Sequence, residues 1–239
     1  FFSLLLIAMY RQFMRLPLFQ GPRFLVPIRS VRNLFIKTAA TPNPECLKFY
    51  SIDLMFLAEG KTLDFPTVQT AYKSPLAKQI FEVEGVKGVF IADDYLTITK
   101  QEEVDWSALT NKIFSVITNW KQSGEELLDE EAEAADDCTP LPDDDEVVLA
   151  IKELLESRIK PMVQRDGGNI RYVGFEDGVV YLQLQGACST CPSSTNTLKG
   201  GIERMMMHWI PEVEEVTEVN QEDADIMINK WAESGTFKY

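Results

Sequence analysis

Histidine is almost absent from this 239-residue chain, with one copy, and cysteine is scarce, with four. A single histidine excludes most His-based catalytic and zinc sites. Four scattered cysteines exclude a disulfide-stapled secreted scaffold. Long hydrophobic runs are missing as well: Phe1–Tyr10 is apolar but ends at Arg11, far short of the ~20 residues that cross a bilayer. Basic charge is also in deficit, with 23 Lys and Arg against 37 Asp and Glu and a net charge of -14. That balance excludes a generic nucleic-acid binder, which presents a basic surface. What the chain does have is an apolar share of 45% and a mean hydropathy of -0.11. This is the composition of folded domains, and the length predicts one or two of them.

The charge is unevenly placed. No Asp or Glu precedes Glu45, whereas Arg11, Arg15, Arg23, Arg29, Arg32 and Lys37 are basic and Pro17, Pro22 and Pro27 interrupt any long helix. An acid-free, Arg-bearing N-terminus has the composition of an organelle transit peptide, so residues 1–40 are expected to be a disordered mitochondrial leader. Residues 45–124 carry a net of -3, residues 125–146 a net of -12 with no base, and residues 147–239 a net of -5. The middle stretch, GEELLDEEAEAADDCTPLPDDDE over 124–146, has no aromatic residue. It cannot bury enough surface to offset ordering and is expected to be a flexible acidic linker over 125–146.

The flanking segments, 41–124 and 147–220, each read as a small α+β domain, with 221–239 left as a tail. In the first, Leu47–Met55 predicts a strand, and Ser74-Pro75 predicts a helix start with Ser as cap and Pro in the first turn. Val86–Ile91 and Tyr95–Thr99 predict a hairpin around Asp93-Asp94. Asp105 then precedes a helix with the stripe Leu109, Ile113, Val116 and Trp120. In the second, Val148, Ile151, Leu155 and Ile159 predict a helix from about 144 that Pro161 ends. Ile170–Phe175 and Val179–Gln185 predict a hairpin around Glu176-Asp177-Gly178. A helix from Pro192 to Trp209, closed by Pro211, and a third strand at Val213–Val219 complete a small sheet with helices on one side.

The chemistry is expected at Cys188 and Cys191. Both lie on a tight loop between a strand and a helix, with Pro192 at the first helical position. The positive end of the helix dipole and the unpaired N–H groups there favour thiolate, the form that binds soft metals. Two intervening residues let both sulfurs point at one centre. Two thiolates are half of what an iron–sulfur cluster or a structural zinc takes, and Cys46 and Cys138 are distant in sequence. The count therefore points to two chains meeting at one metal centre, exposed and labile, which suits a carrier. Two other readings stay open. C-x-x-C at a strand-to-helix turn is also the geometry of a thiol–disulfide oxidoreductase, and two plus two cysteines also suit a zinc-bridged dimer.

At these residues the sequence resembles the NifU-like, or Nfu, family of mitochondrial iron–sulfur cluster scaffolds. In the second domain the resemblance is carried by Pro161, Asp166-Gly167-Gly168, Gly186, Cys188, Cys191-Pro192, Ser194, Thr197-Leu198, Gly201-Ile202-Glu203 and Pro211-Glu212-Val213. In the first it is carried by Thr41-Pro42-Asn43-Pro44, Leu47, Phe49, Ser74-Pro75-Leu76-Ala77, Gly85-Val86 and Val89-Phe90. The resemblance implies a carrier rather than an enzyme, located in the mitochondrial matrix, with no membrane span. It implies a 4Fe–4S cluster shared between the two chains of a homodimer through Cys188 and Cys191. That cluster would come from upstream donors and go to client apoproteins such as lipoic acid synthase and respiratory-chain iron–sulfur proteins. The first domain would have no metal role. Thr195-Asn196 departs from the family in being polar, and Met205-Met206-Met207 is unusual. At ~100° per residue at most two of those three methionines share one helix side, and packing is their expected use.

Overall fold

The computed structural model describes residues 34–128, 138, 140, 144–189 and 192–234. Residues 1–33, most of the acidic stretch, and Thr190 and Cys191 lie outside the described residues, and with them most of the expected leader.

The first domain is a five-stranded antiparallel sheet in the order β1-β2-β5-β4-β3. Its strands are β1 (Lys37–Ala40), β2 (Cys46–Tyr50), β3 (Leu63–Phe65), β4 (Val86–Ile91) and β5 (Tyr95–Lys100). Two helices accompany it, α1 (Pro75–Phe81) and α2 (Trp106–Ser123). Strand β1 lies within the segment expected to be leader: Lys37–Ala40 pairs along β2, so the folded domain begins earlier than composition suggests. An absence of acids is no bar to pairing, because an edge strand is held by its backbone. β2 ends at Tyr50, five residues before the expected limit. Ser74 caps α1 as expected, its side chain accepting the Ala77 N–H at 3.3 Å. In α2 the core position falls to Ile117, which is fully buried, and Val116 is half-buried. At ~100° per residue the run Leu109, Ile113, Ile117 and Trp120 spans about 80° of the helix, slightly broader than the expected stripe.

Alternation along β5 decides how this sheet is used. Leu96 and Ile98 face the helices and join Phe49, Val89, Ile91, Leu109 and Ile113 in the first core. Tyr95, Thr97 and Thr99 are the intervening residues and therefore occupy the opposite face, yet all three are buried. The second domain covers that face.

The second domain begins with a helix that does not stop before Pro161. It runs as α3 (Glu146–Leu154), a π turn (Leu155–Ile159) and α4 (Lys160–Arg165). The Lys160 N–H donates to the Leu155 carbonyl five residues back. This wider turn restarts the helix, so Pro161 falls in the first turn of α4, where a missing N–H costs nothing. Strands β6 (Gly168–Glu176) and β7 (Val179–Gly186) form the expected hairpin around Asp177 and Gly178, both at positive φ. The helix α5 (Pro192–Trp209) returns the chain to β8 (Glu215–Glu218), which pairs parallel to β7.

One face of this sheet packs Ile170, Tyr172, Val180, Leu182 and Leu184 against Ile151, Ile159, Ile202 and Met206. The other face is not open, as helices on one side would require. The tail forms α6 (Gln221–Ser234), whose Ala224, Met227 and Ile228 pack on Val173 and Tyr181. Asn220 accepts the Asp223 N–H at 2.8 Å and so starts the helix. Arg171 ties it down through Asp225 at 3.4 Å. The described ends of the acidic stretch are anchored: Leu127 enters the first core and Cys138 the second. Asp144 pairs with buried Lys152 at 2.8 Å.

Ala224 is fully buried, so Ala224→Glu places an uncompensated charge between α6 and β6 at a cost of several kcal/mol. Amide hydrogen exchange is expected to show α6 losing protection, with α3 and the β6–β7 hairpin keeping theirs.

Candidate metal centre

Cys188 stands two residues beyond the bend at Gly186, in a turn that starts where β7 ends. Gly186 has φ +63, and the Ser189 hydroxyl and N–H both donate to its carbonyl, at 3.0 and 3.3 Å. The Ala187 N–H donates to the Gly167 carbonyl at 3.3 Å, so the strand start before β6 holds the turn after β7. Cys188 is only 7% exposed and belongs to the second core. Its sulfur lies against Gly168: a Cβ there would stand 2.5 Å from Cys188 Sγ and 2.7 Å from the Gln185 carbonyl oxygen. Glycine at 168 is thus a requirement of the cysteine turn, because no side chain fits between strand and sulfur.

The first domain reaches the same turn. A Cβ at Gly186 would stand 2.9 Å from Phe90 Cγ, so the Phe90 ring lies directly on the bend. Thr97 Oγ1 donates to the Gly167 carbonyl at 2.6 Å and the Tyr95 hydroxyl to the Gly168 carbonyl at 2.7 Å, both buried. Thr62 Oγ1 donates to Gln185 Oε1 at 3.2 Å. Lys48 Nζ donates to the Gln164 carbonyl at 3.1 Å and lies 3.6 Å from the centroid of the Tyr95 ring. Burial lowers the Lys48 pKa, and the carboxylates of Asp94 and Asp93 partly offset this.

Asp64 on β3 closes the seam. It is half-buried, and burial pushes its pKa up to about 7 despite a hydrogen bond from the Gly186 backbone. With Phe65, Phe90, Gly186 and Ser189 it lines a narrow cleft beside the cysteine turn.

Of the two predicted ligands, Cys188 is therefore placed at the junction of strand, turn and domain seam, and Cys191 lies outside the described residues. Cys46 is buried at the start of β2, its sulfur 3.3 Å from Thr99 Oγ1. Cys138 donates to the Ile170 carbonyl at 3.4 Å and joins the second core. Among the described residues no group of three or more His, Cys, Asp or Glu comes together as a metal site. The three methionines of α5 divide by helix phase: Met206 is buried, Met205 packs partly and Met207 is exposed. His208 is exposed, with its ring edge-on to Trp209 at 5.5 Å. Tyr95, Thr97 and Phe90 were not foreseen as site residues. The one available signal was the buried face implied by hydroxyl and aromatic residues alternating with core residues on β5.

A cysteine turn seated on a glycine-paired strand start, with a second α+β domain before it, sets the chain among two-domain proteins whose halves each match a known family. The NifU-like domain family matches residues 151–217, and the family described as scaffold protein Nfu/NifU N terminal matches residues 36–124. The chain belongs to the Nfu/NifU-like family. It is 50% identical over 205 residues to a Drosophila sechellia protein named NFU1 iron-sulfur cluster scaffold homolog, mitochondrial, covering 85% of this chain and 71% of that one. The human protein of the same name is 48% identical over 215 residues, covering 90% of this chain and 82% of that one. Among solved structures, the solution NMR structure of a NifU-like protein from Saccharomyces cerevisiae is 34% identical. It covers 44% of this chain and 92% of that one, with a TM-score of 0.39.

Asp64 gives a pH test. Its folded pKa, about 7, lies above the ~3.9 of an unfolded aspartate, so the folded state binds the proton more tightly. The contribution is therefore full below pH ~4 and is lost as pH rises through about 7. Asp64→Asn should raise the Tm by a few degrees at pH 8 and leave it little changed at pH 4.5, as read by thermal unfolding at both values.

Proposed function

We propose that this protein is a mitochondrial iron–sulfur cluster scaffold and carrier, and not a catalyst. Its cargo is a 4Fe–4S cluster bound between two copies of the chain by Cys188 and Cys191 of each. The observation that carries the reading is the placement of Cys188, on a tight turn between β7 and the N-terminal end of an 18-residue helix. Once the sulfurs face that end of the helix, its N–H groups and dipole favour the thiolate form that binds iron. The cysteine count supports sharing. Cys46 is occupied in the first domain's sheet and Cys138 is inserted under Ile170, so the C-x-x-C pair is what each chain has to offer a cluster that takes four thiolates.

A cluster held by two ligands from each subunit leaves when the subunits part, which is the property a carrier needs. Upstream donors would load it, and client apoproteins would take it. Lipoic acid synthase and respiratory-chain iron–sulfur proteins are the client class. The relatives' names support both the scaffold role and a mitochondrial location.

Anaerobic reconstitution of the full chain with iron and sulfide tests this. A broad absorption near ~400 nm is expected for thiolate-ligated iron–sulfur centres, appearing together with dimerisation, and Cys188→Ser or Cys191→Ser should abolish both. A colourless monomer, or a Cys188→Ser variant that loads normally, would overturn the proposal. Zinc in freshly purified protein, or disulfide-reductase turnover without metal, would overturn it in favour of a zinc-bridged dimer or an oxidoreductase.

A further inference from the structure

The first domain's contact with the cysteine turn is more specific than tethering requires. Three of its residues, Phe90, Tyr95 and Thr97, touch three glycines of the second domain, Gly186, Gly168 and Gly167. The contacts converge on the backbone that positions Cys188. The Gly167 carbonyl takes the Thr97 hydroxyl and also the Ala187 N–H next to the cysteine. The Gly168 carbonyl takes the Tyr95 hydroxyl, and the Gly168 Cα hydrogen that a Cβ would replace faces Cys188 Sγ. With these bonds made, the sulfur is packed into the second domain's core and is 7% exposed.

A sulfur that ligates a cluster shared with another chain must face outward, so the turn has to move from the position described here. The seam holding it is suited to opening. Its polar contacts join side-chain hydroxyls to backbone carbonyls, partners that water can replace, and its apolar contact is the Phe90 ring on Gly186. The two domains are also joined through 125–144, so the first can part from the second and remain close.

We infer that Tyr95 and Thr97 are positioning residues for the metal-binding turn: their hydroxyls clamp the Gly167-Gly168 backbone and hold the Cys188 thiol inward, and cluster loading requires that clamp to open. The interaction surface is the hydroxyl-bearing face of β5, and its partner is the glycine-paired strand start of the same chain. The consequence for cargo rests on the scaffold reading above, whereas the clamp itself does not.

Thiol labelling of the full-length apoprotein under native conditions tests the clamp without any cluster. Alkylation is followed residue by residue with mass spectrometry, in Tyr95→Phe, Thr97→Val and the double variant. Each substitution removes a hydroxyl and keeps the shape of the side chain. Cys138, buried in the second domain's core, serves as the internal reporter of general loosening, whereas Cys46, beside Thr99 on the seam face of the first domain's sheet, is expected to follow the clamp. The double variant is expected to label at Cys188 about tenfold faster, from the loss of two buried hydrogen bonds, with Cys138 unchanged. Thr97→Ser, which keeps the donor, should restore protection. An unchanged Cys188 rate, an equal acceleration at Cys138, or failure of Thr97→Ser to rescue would each overturn the inference. In parallel, iron and sulfide reconstitution should proceed several-fold faster in the double variant. If labelling responds and no cluster forms in any variant, the clamp stands and the scaffold reading falls.

Discussion

The close approach of two backbones governs this molecule. At Gly168 the strand start and the Cys188 sulfur are so near that a methyl group would stand 2.5 Å from Sγ, and at Gly186 the Phe90 ring occupies the space a Cβ would take. Remove either glycine and the turn must move, because the atoms on both sides belong to a strand or to a packed ring. Geometry at the cysteine is therefore inherited from the sheet on one side and from the neighbouring domain on the other. The carbonyls exposed by this approach need donors, since an unpaired buried carbonyl is costly, and Tyr95 and Thr97 supply them.

This constraint explains the polarity of the first domain's sheet. One face is an ordinary core of Phe49, Val89, Leu96 and Ile98 beneath two helices. The other combines a small apolar cluster of Phe90, Ala92 and Tyr95 with the polar residues Thr97, Thr99 and Lys48. Its hydroxyls satisfy the partner's backbone at short range, and Lys48 spans the seam to the Gln164 carbonyl while sitting over the Tyr95 ring. A face built this way holds specifically and yet exchanges with water at modest cost. Function needs both properties if the cysteine turn is to be held at rest and released for its cargo.

Much of the architecture was legible in the chain. Ser74-Pro75 marked a helix start because the cap and proline chemistry are local. Asp177-Gly178 marked a hairpin turn because both positions need positive φ. Cys188 and Cys191 stood out as a C-x-x-C pair at a strand-to-helix turn, and Cys188 lies where β7 ends. Three elements were misread, each for a non-local reason. Lys37–Ala40 looked like leader from its composition, whereas pairing with β2 makes it a strand. Pro161 looked like a helix end, but the π turn before it lets the helix restart. The tail lacked a strong period, and α6 forms because Val173 and Tyr181 leave an apolar sheet face to cover.

By itself, then, the sequence determined the two-domain division, the class of fold and the position of the C-x-x-C pair. These follow from residue type and spacing, which act over a turn or two of chain. Only the tertiary structure decided which residues surround Cys188. Tyr95 lies 93 positions before it and reaches its turn through a hydroxyl bonded to the Gly168 carbonyl. Such a partnership has no periodicity to read, because it depends on which sheet faces come together and on the absence of two side chains where they meet.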